Sequence, residues 1–328
     1  MGKPLSEARA EVAKSIRLCA YAIETAELSL APESLPADGG TRAYITHQGL
    51  GPILGIMPWN FPIWQTLRFA LPTLAAGNTI IIKPSETTAG TAFLLQELFE
   101  EAGLGSGVVG TLMVPVEDVG PLIRARQICG VSLTGSVRAG RAVGAIAGEA
   151  LKKSVLELGG SDPYIVLKDA DLDAAADCLV RARFLNSGQS CIAAKRFLVV
   201  EAVYEKFREI LKNRISSLIV GDPQDTKTQI GPMARADLRE ELSRQLSESV
   251  AKGAKVLVGG EPLTGPGFYF APTLIENVEP GMPCFDEETF GPLASLVRVR
   301  DEEEAIRLAN TTSFGLGAAV FSRQTAHA

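Results

Sequence analysis

Gly130-Val131-Ser132-Leu133-Thr134-Gly135-Ser136-Val137-Arg138-Ala139-Gly140 reads as a short apolar strand, a tight turn and the opening of a helix. The same order recurs on both sides of it. Apolar runs at Ile53–Met57, Thr79–Ile82, Thr111–Val114, Gly130–Leu133 and Ser154–Leu158 have strand length, and helical patterns fill Ile63–Ala76, Thr88–Ala102, Val116–Arg126 and Val137–Ala150. Strands alternating with helices predict an α/β fold with a five-stranded, doubly wound parallel sheet. Ligands of such sheets bind beyond the carboxyl ends of the strands, so function is sought there.

Upstream, residues 5–30 carry a helical apolar pattern, and Thr41–Thr46 alternates like a half-exposed strand. Downstream of Glu157-Leu158-Gly159-Gly160 a second α/β unit is expected. Its extended runs are Lys195–Val200, Val256–Val258, Thr273–Ile275 and Ala294–Val299, with helices at Tyr204–Ser217, Leu238–Lys252 and Glu302–Asn310. The acidic run Asp301–Glu304 suits the dipole at the start of the last helix. This divides the chain into a first domain at 1–158, with its N-terminal helix and strand segment, and a second domain at 159–328.

At 328 residues the chain has room for two such domains, and 46% hydrophobic with 21% charged residues is a globular composition. A net charge of −6, with no basic stripe, argues against a nucleic-acid surface. No signal pattern or membrane-length apolar run is present, so no membrane partner is expected. The five cysteines, at 19, 129, 178, 191 and 284, fit neither a disulfide framework nor the usual zinc spacings, which points to a reducing cytoplasm and no metal.

Chemistry concentrates at Phe184-Leu185-Asn186-Ser187-Gly188-Gln189-Ser190-Cys191, where a thiol follows a small-residue turn. A thiolate is a strong nucleophile, and a glycine-rich approach lets the backbone N–H serve as a donor to an oxyanion. The plainer alternative is a buried, inert thiol. The two histidines, His47 and His327, are poorly placed to serve as a base, which disfavours a cysteine hydrolase and turns attention to carboxylates. Glu157 is the candidate, because a carboxylate ending an apolar strand before two glycines is costly to bury without a use. At the other strand ends, Asn60 offers a side-chain amide, Glu86 a first-turn acid, and Gly135-Ser136 a helix start suited to an anion. Taken singly, these are also ordinary caps, solvated acids and packing glycines.

Together, Pro58-Trp59-Asn60-Phe61-Pro62, Lys83-Pro84-Ser85-Glu86, Thr134-Gly135-Ser136, Glu157-Leu158-Gly159-Gly160, Asn186–Cys191 and Glu287-Glu288-Thr289-Phe290-Gly291-Pro292 resemble the NAD(P)-dependent aldehyde dehydrogenase superfamily, in its order and over most of the chain. Within it, Glu157–Pro163 and Thr289–Leu293 are similar to bacterial succinate-semialdehyde dehydrogenases. The resemblance implies Cys191 as nucleophile, Glu157 as the base that activates the hydrolytic water, and Asn60 as an oxyanion donor. It places Lys83 and Glu86 at the adenosine ribose, with Ser85 beside them, and Gly135 and Ser136 near the pyrophosphate. Glu288 and Phe290 fall by the nicotinamide, with Pro58, Trp59, Leu158 and Gly159 lining the cofactor. The Glu86 carboxylate would repel a 2′-phosphate, which predicts NAD as cofactor, with NADP allowed by the offsetting charge of Lys83.

For the substrate, the resemblance implies that Arg68, eight positions after Asn60, binds the distal carboxylate of a small aldehyde. A second arginine often found six positions before the cysteine is Leu185 here. A shorter or less charged substrate, or a cation from Arg183 or another segment, is the alternative. Family members extend beyond this chain at both ends, so the catalytic domain is expected to be C-terminally incomplete, and a homo-oligomer is expected of the complete protein. The competing functional reading is a truncated, catalytically poor NAD-binding remnant or structural protein.

Overall fold

The computed structural model describes residues 1–324, 326 and 328. His327 therefore lies outside the described residues. Two compact units are present, one of Arg9–Leu158 and one of Met1–Ala8 with Gly159–Ala328.

The first unit holds most of helix α1 (Leu5–Leu30) and the antiparallel pair β1 (Glu33–Leu35) and β2 (Ala43–Ile45). The alternating chain follows as β3 (Pro52–Met57), α2 (Pro62–Ala75), β4 (Thr79–Pro84), α3 (Ala89–Glu101), β5 (Val109–Thr111), α4 (Val116–Arg124), β6 (Gly130–Thr134), α5 (Val137–Glu149) and β7 (Lys153–Glu157). The strand order is β5-β4-β3-β6-β7 and every pairing is parallel. The chain winds outward from β3 in one direction and then from β6 in the other, which is the doubly wound arrangement with its switch point between those two strands.

Helices pack on both faces of the sheet, each face with its own apolar cluster, while the start of the edge strand β7 stays exposed. Phe69 and Ala70 of α2 and Ala92 of α3 pack on Met57, Ile80 and Ile82, while Ile123 of α4 and Val143 and Ala147 of α5 pack on Leu54, Val131 and Leu133. This explains why the strands read as nearly continuous apolar runs. Local chemistry sets the helix starts. Pro62 occupies the first turn of α2, where a missing N–H costs nothing, and the Ser136 hydroxyl accepts the Ala139 N–H at 3.2 Å to cap α5.

β5 lies at Val109–Thr111 and not at Thr111–Val114. Val109, 2% exposed, pairs with Ile80, and the ladder ends when the Leu112 N–H donates to the Ile82 carbonyl, three residues before Pro115.

The second unit contains β8 (Asp162–Val166), α6 (Leu172–Phe184), β9 (Ala194–Val200), α7 (Glu201–Ser216), α8 (Ala236–Ala251), β10 (Lys255–Val258), β11 (Thr273–Glu276), α9 (Pro283–Asp286), β12 (Leu293–Val299), α10 (Glu302–Ala309) and β13 (Ala319–Phe321). Its six strands run in the order β10-β11-β12-β9-β8-β13, parallel except for β10, which pairs antiparallel with β11. Helices α6 and α7 cover one face, and α8, α9 and α10 the other. The Asp301 carboxylate caps α10 by accepting the Glu304 N–H at 2.9 Å.

Residues 1–8, expected with the first domain, belong to the second unit. The Leu5 N–H donates to the Pro223 carbonyl at 2.8 Å, and Glu7 accepts the Asn186 N–H at 2.6 Å.

Candidate active site

In the first unit the expected residues gather at the carboxyl ends of the parallel strands. Met57 pairs with Pro84 in register, and Thr134 with Glu157, so the segments after β3, β4, β6 and β7 open on one edge of the sheet. The Ser85 N–H donates to the Met57 carbonyl at 3.0 Å, and the Gly135 N–H to the Glu157 carbonyl at 2.9 Å, stitching neighbouring strand ends together. Asn60 is 5% exposed, and its Oδ1 accepts the Phe61 N–H at 3.1 Å, which fixes which end of the amide donates elsewhere. Behind it, Glu11 of α1 accepts the N–H groups of Ile63 and Trp64 at 2.9 and 3.0 Å, capping the helix that follows Asn60.

Arg68 and Glu157 meet directly, with guanidinium nitrogen and carboxylate oxygen 2.7 Å apart. Both line a cavity of about 350 Å³ together with Gln65, Phe69, Thr134 and Val155. The proposed carboxylate-binding cation and the proposed base therefore face the same space, and each is the other's partner.

Residues suited to a dinucleotide lie at the same strand ends. Glu86 and Ser136 are exposed, Pro58, Trp59, Ser85 and Gly135 are half-buried, and Lys83 is buried with its Nζ donating to the Pro84 carbonyl at 3.1 Å. An exposed acid after β4 for ribose hydroxyls and the capped start of α5 for a pyrophosphate form a donor and acceptor set that fits NAD or NADP. Leu158 packs against Gly140 of α5, where even a Cβ would collide with it.

In the second unit Cys191 follows a short turn of unusual geometry. Asn186, Ser187 and Gly188 have φ values of 55°, 54° and 74°, three successive left-handed residues. Lys195 on β9, 1% exposed, donates from Nζ to the carbonyls of Ser190 and Cys191 at 3.0 and 2.6 Å and lies 3.5 Å from Glu288. Glu288 also accepts the Gly160 N–H at 3.1 Å and lies against Gly159, while Phe290 is half-buried two residues on.

The electrostatics follow from this burial. Burial pushes the Cys191 thiol up from its ordinary range, and the Lys195 ammonium opposes that shift while the Glu288 carboxylate adds to it. Burial likewise brings Lys195 down to about 8 and raises the Glu288 carboxyl, each charge partly restoring the other. The contrast with Cys284 is useful. That thiol is 1% exposed among apolar neighbours and is raised by burial to about 11, the behaviour of an inert core cysteine.

Arg183 is a correction to the sequence reading. It is fully buried, and its guanidinium donates to the carbonyls of Gly188 at 3.4 Å and Thr289 at 3.1 Å and to those of Leu293 and Gly291. These bonds fasten the turn before Cys191 to the Thr289–Leu293 loop, and burial brings the guanidinium down to about 9. It is a structural clamp and cannot reach a substrate. Lys195 was not singled out in the sequence because it opens an apolar run, although its position four residues after a candidate nucleophile was a usable signal.

A profile described as the aldehyde dehydrogenase family matches residues 1–328. The chain is 47% identical over 322 residues to succinate semialdehyde dehydrogenase [NAD(P)+] Sad of Escherichia coli strain K12, covering 98% of this chain and 70% of that protein. It is 44% identical to succinate-semialdehyde dehydrogenase [NADP(+)] 1 of Mycobacterium ulcerans strain Agy99, covering 99% and 72% respectively. Among solved structures, the succinic semialdehyde dehydrogenase of Streptococcus pyogenes in complex with NADP+ superposes with a TM-score of 0.96 at 35% identity, over 99% of this chain and 71% of that one.

Proposed function

Because the chain belongs to the aldehyde dehydrogenase family, we propose that it oxidises succinate semialdehyde, or a similar small carboxylated aldehyde, to the corresponding acid with NAD or NADP. The observation that carries the substrate class is Arg68, a guanidinium that lines a cavity with Glu157 and suits bidentate pairing with a carboxylate.

In this reading Cys191, as thiolate, attacks the aldehyde carbonyl to give a thiohemiacetal. The Asn60 amide and the Cys191 backbone N–H donate to the oxyanion, one such donor being worth about 3 kcal/mol of barrier. A dinucleotide, when bound, would supply the hydride acceptor, and the carbon held by Cys191 would then stand at the thioester level. Glu157 takes a proton from the water that attacks this thioester, and the acid departs with the thiol regenerated. Lys83, Ser85, Glu86, Gly135 and Ser136 would hold the adenosine and pyrophosphate portions, Glu288 and Phe290 the nicotinamide end, and Pro58, Trp59, Leu158 and Gly159 the walls.

The test is reduced-cofactor formation across a panel of aldehydes. A burst with succinate semialdehyde that disappears in Cys191→Ala is expected, and turnover that survives Cys191→Ala removes the mechanism. Glu86→Ala should raise kcat/KM for NADP relative to NAD by about tenfold, because it removes an exposed carboxylate beside the expected ribose. Equal effects on the two cofactors would count against that placement.

Five free thiols support a reducing, cytoplasmic setting, and no helix among the described residues is long and apolar enough to cross a membrane. The exposed Ile16, Tyr21, Ile23 and Leu28 of α1 support a homo-oligomer, which light scattering would reveal or exclude.

A further inference from the structure

The chemistry above uses the Cys191 thiol but not the carboxylate that meets its turn. Asn186 and Ser187 carry side chains at positive φ, a strained conformation, and glycine at 188 is required because a Cβ there would run into the Gly291 carbonyl. A run of this kind persists only where surrounding groups over-determine it. Those groups are identifiable. The Asn186 and Gln189 side-chain amides donate to each other's backbone carbonyls at 3.2 and 3.1 Å, and Ser187 Oγ donates to the Gly231 carbonyl and accepts its N–H, both at 3.0 Å.

These contacts all come from the turn itself or from the Gly231 loop. Arg183 and Lys195 hold the carbonyls that follow, and a further anchor, on the first residue of the run, comes from the first turn of α1. The Asn186 N–H donates to Glu7 Oε2 at 2.6 Å, a short direct hydrogen bond. The start of α1 is in turn fastened by the Leu5 N–H on the Pro223 carbonyl and by Gly2 packed against Pro232, so Glu7 is presented from a fixed base.

We propose that Glu7 is a positioning residue for the nucleophile, its side-chain oxygen holding the Asn186 N–H and so fixing the left-handed turn that presents Cys191. The proposal rests on the reading of Cys191 as the nucleophile. A first-turn acid on a helix is ordinarily a surface residue favoured by the dipole. Here its oxygen is spent on a backbone N–H 179 positions away, at the first residue of the strained run.

The test compares wild type with Glu7→Gln, Glu7→Ala and Glu7→Leu, measuring the rate at which iodoacetamide modifies Cys191, mapped by peptide mass, alongside kcat and KM. Loss of the acceptor should slow Cys191 modification and kcat by about tenfold in E7A and E7L, while KM for the dinucleotide stays unchanged. E7Q keeps an acceptor oxygen and should remain within about twofold of wild type. Wild-type modification rates in folded E7A and E7L, or a fall in E7Q as deep as in E7A, would overturn the proposal. Should neither truncation fold, the Asn186 amide of wild type decides the matter, since slow hydrogen exchange supports the anchor and exchange at the rate of an exposed amide refutes it. Turnover retained in Cys191→Ser would mark failure of the nucleophile assignment instead, which the modification rates alone would not.

Discussion

Arg68 and Glu157 are 41% and 39% exposed, and a pair that open to water is held by roughly 1 kcal/mol or less. It is therefore exchangeable. In the proposed mechanism a substrate with its own carboxylate would take the guanidinium and release Glu157 to act on water, whereas a neutral aldehyde would not. Arg68→Ala should raise KM for succinate semialdehyde by at least about tenfold and leave KM for a neutral aldehyde of similar length within about twofold. Equal losses on both would reduce Arg68 to an orienting partner of Glu157. Beside the thiol, Lys195→Met removes the ammonium that opposes the burial-driven rise at Cys191. The pH of half-maximal Cys191 alkylation should rise, and an unchanged pH would deny Lys195 any electrostatic role. Arg68, Glu157 and Cys191 could be singled out as candidates from the sequence because each sits in a recognisable stretch. The fates of Glu7 and Arg183 were not, since an acid in a first helical turn and an arginine near a helix end look the same whether they face water or a buried backbone.

At the scale of elements, the contact of α5 with the end of β7 depends on Gly140, whose missing side chain leaves room for Leu158. Gly140→Val should destabilise the protein by about 1–3 kcal/mol in urea titration through overpacking. Leu158→Ala in the same chain should recover part of that loss, because the two residues occupy one volume, and strict additivity of the two changes would contradict the packing described. Parallel strands buried on both faces made most of the first sheet easy to read, since β3, β4 and β6 appear as apolar runs near their true bounds, and β7 was placed although its first three residues are exposed. β5 was displaced because Leu112 and Val114 extend its apolar character past the residues that pair. β8 and α6 escaped the sequence reading altogether. Asp162 and Pro163 disguise the start of β8, and α6 is rich in alanine and charge, so only its Asp171 cap, which accepts the Ala174 N–H at 3.2 Å, announces it.

For the molecule as a whole, Glu7 ties stability to pH. Burial lifts its carboxyl from an ordinary 4.5 to about 7, against the opposing pull of the Asn186 N–H and Lys3. The folded state then holds that proton more tightly than the unfolded chain, so its contribution is fully present below about pH 4.5 and is lost as pH rises through about 7. Glu7→Gln should flatten the stability profile across that window by on the order of 3 kcal/mol, read from urea midpoints at fixed ionic strength. A mutant profile parallel to wild type would show that the carboxyl titrates normally. The outermost strand β7 raises a different matter, because Lys153, Ser154 and Val155 are open to solvent and no strand among the described residues pairs with its far side. A bare ladder of peptide groups is a template for foreign chains, and the charge of Lys153 is the main deterrent to cross-molecular zippering. Lys153→Val should accordingly bring on turbidity at a lower temperature while leaving the urea midpoint almost where it was.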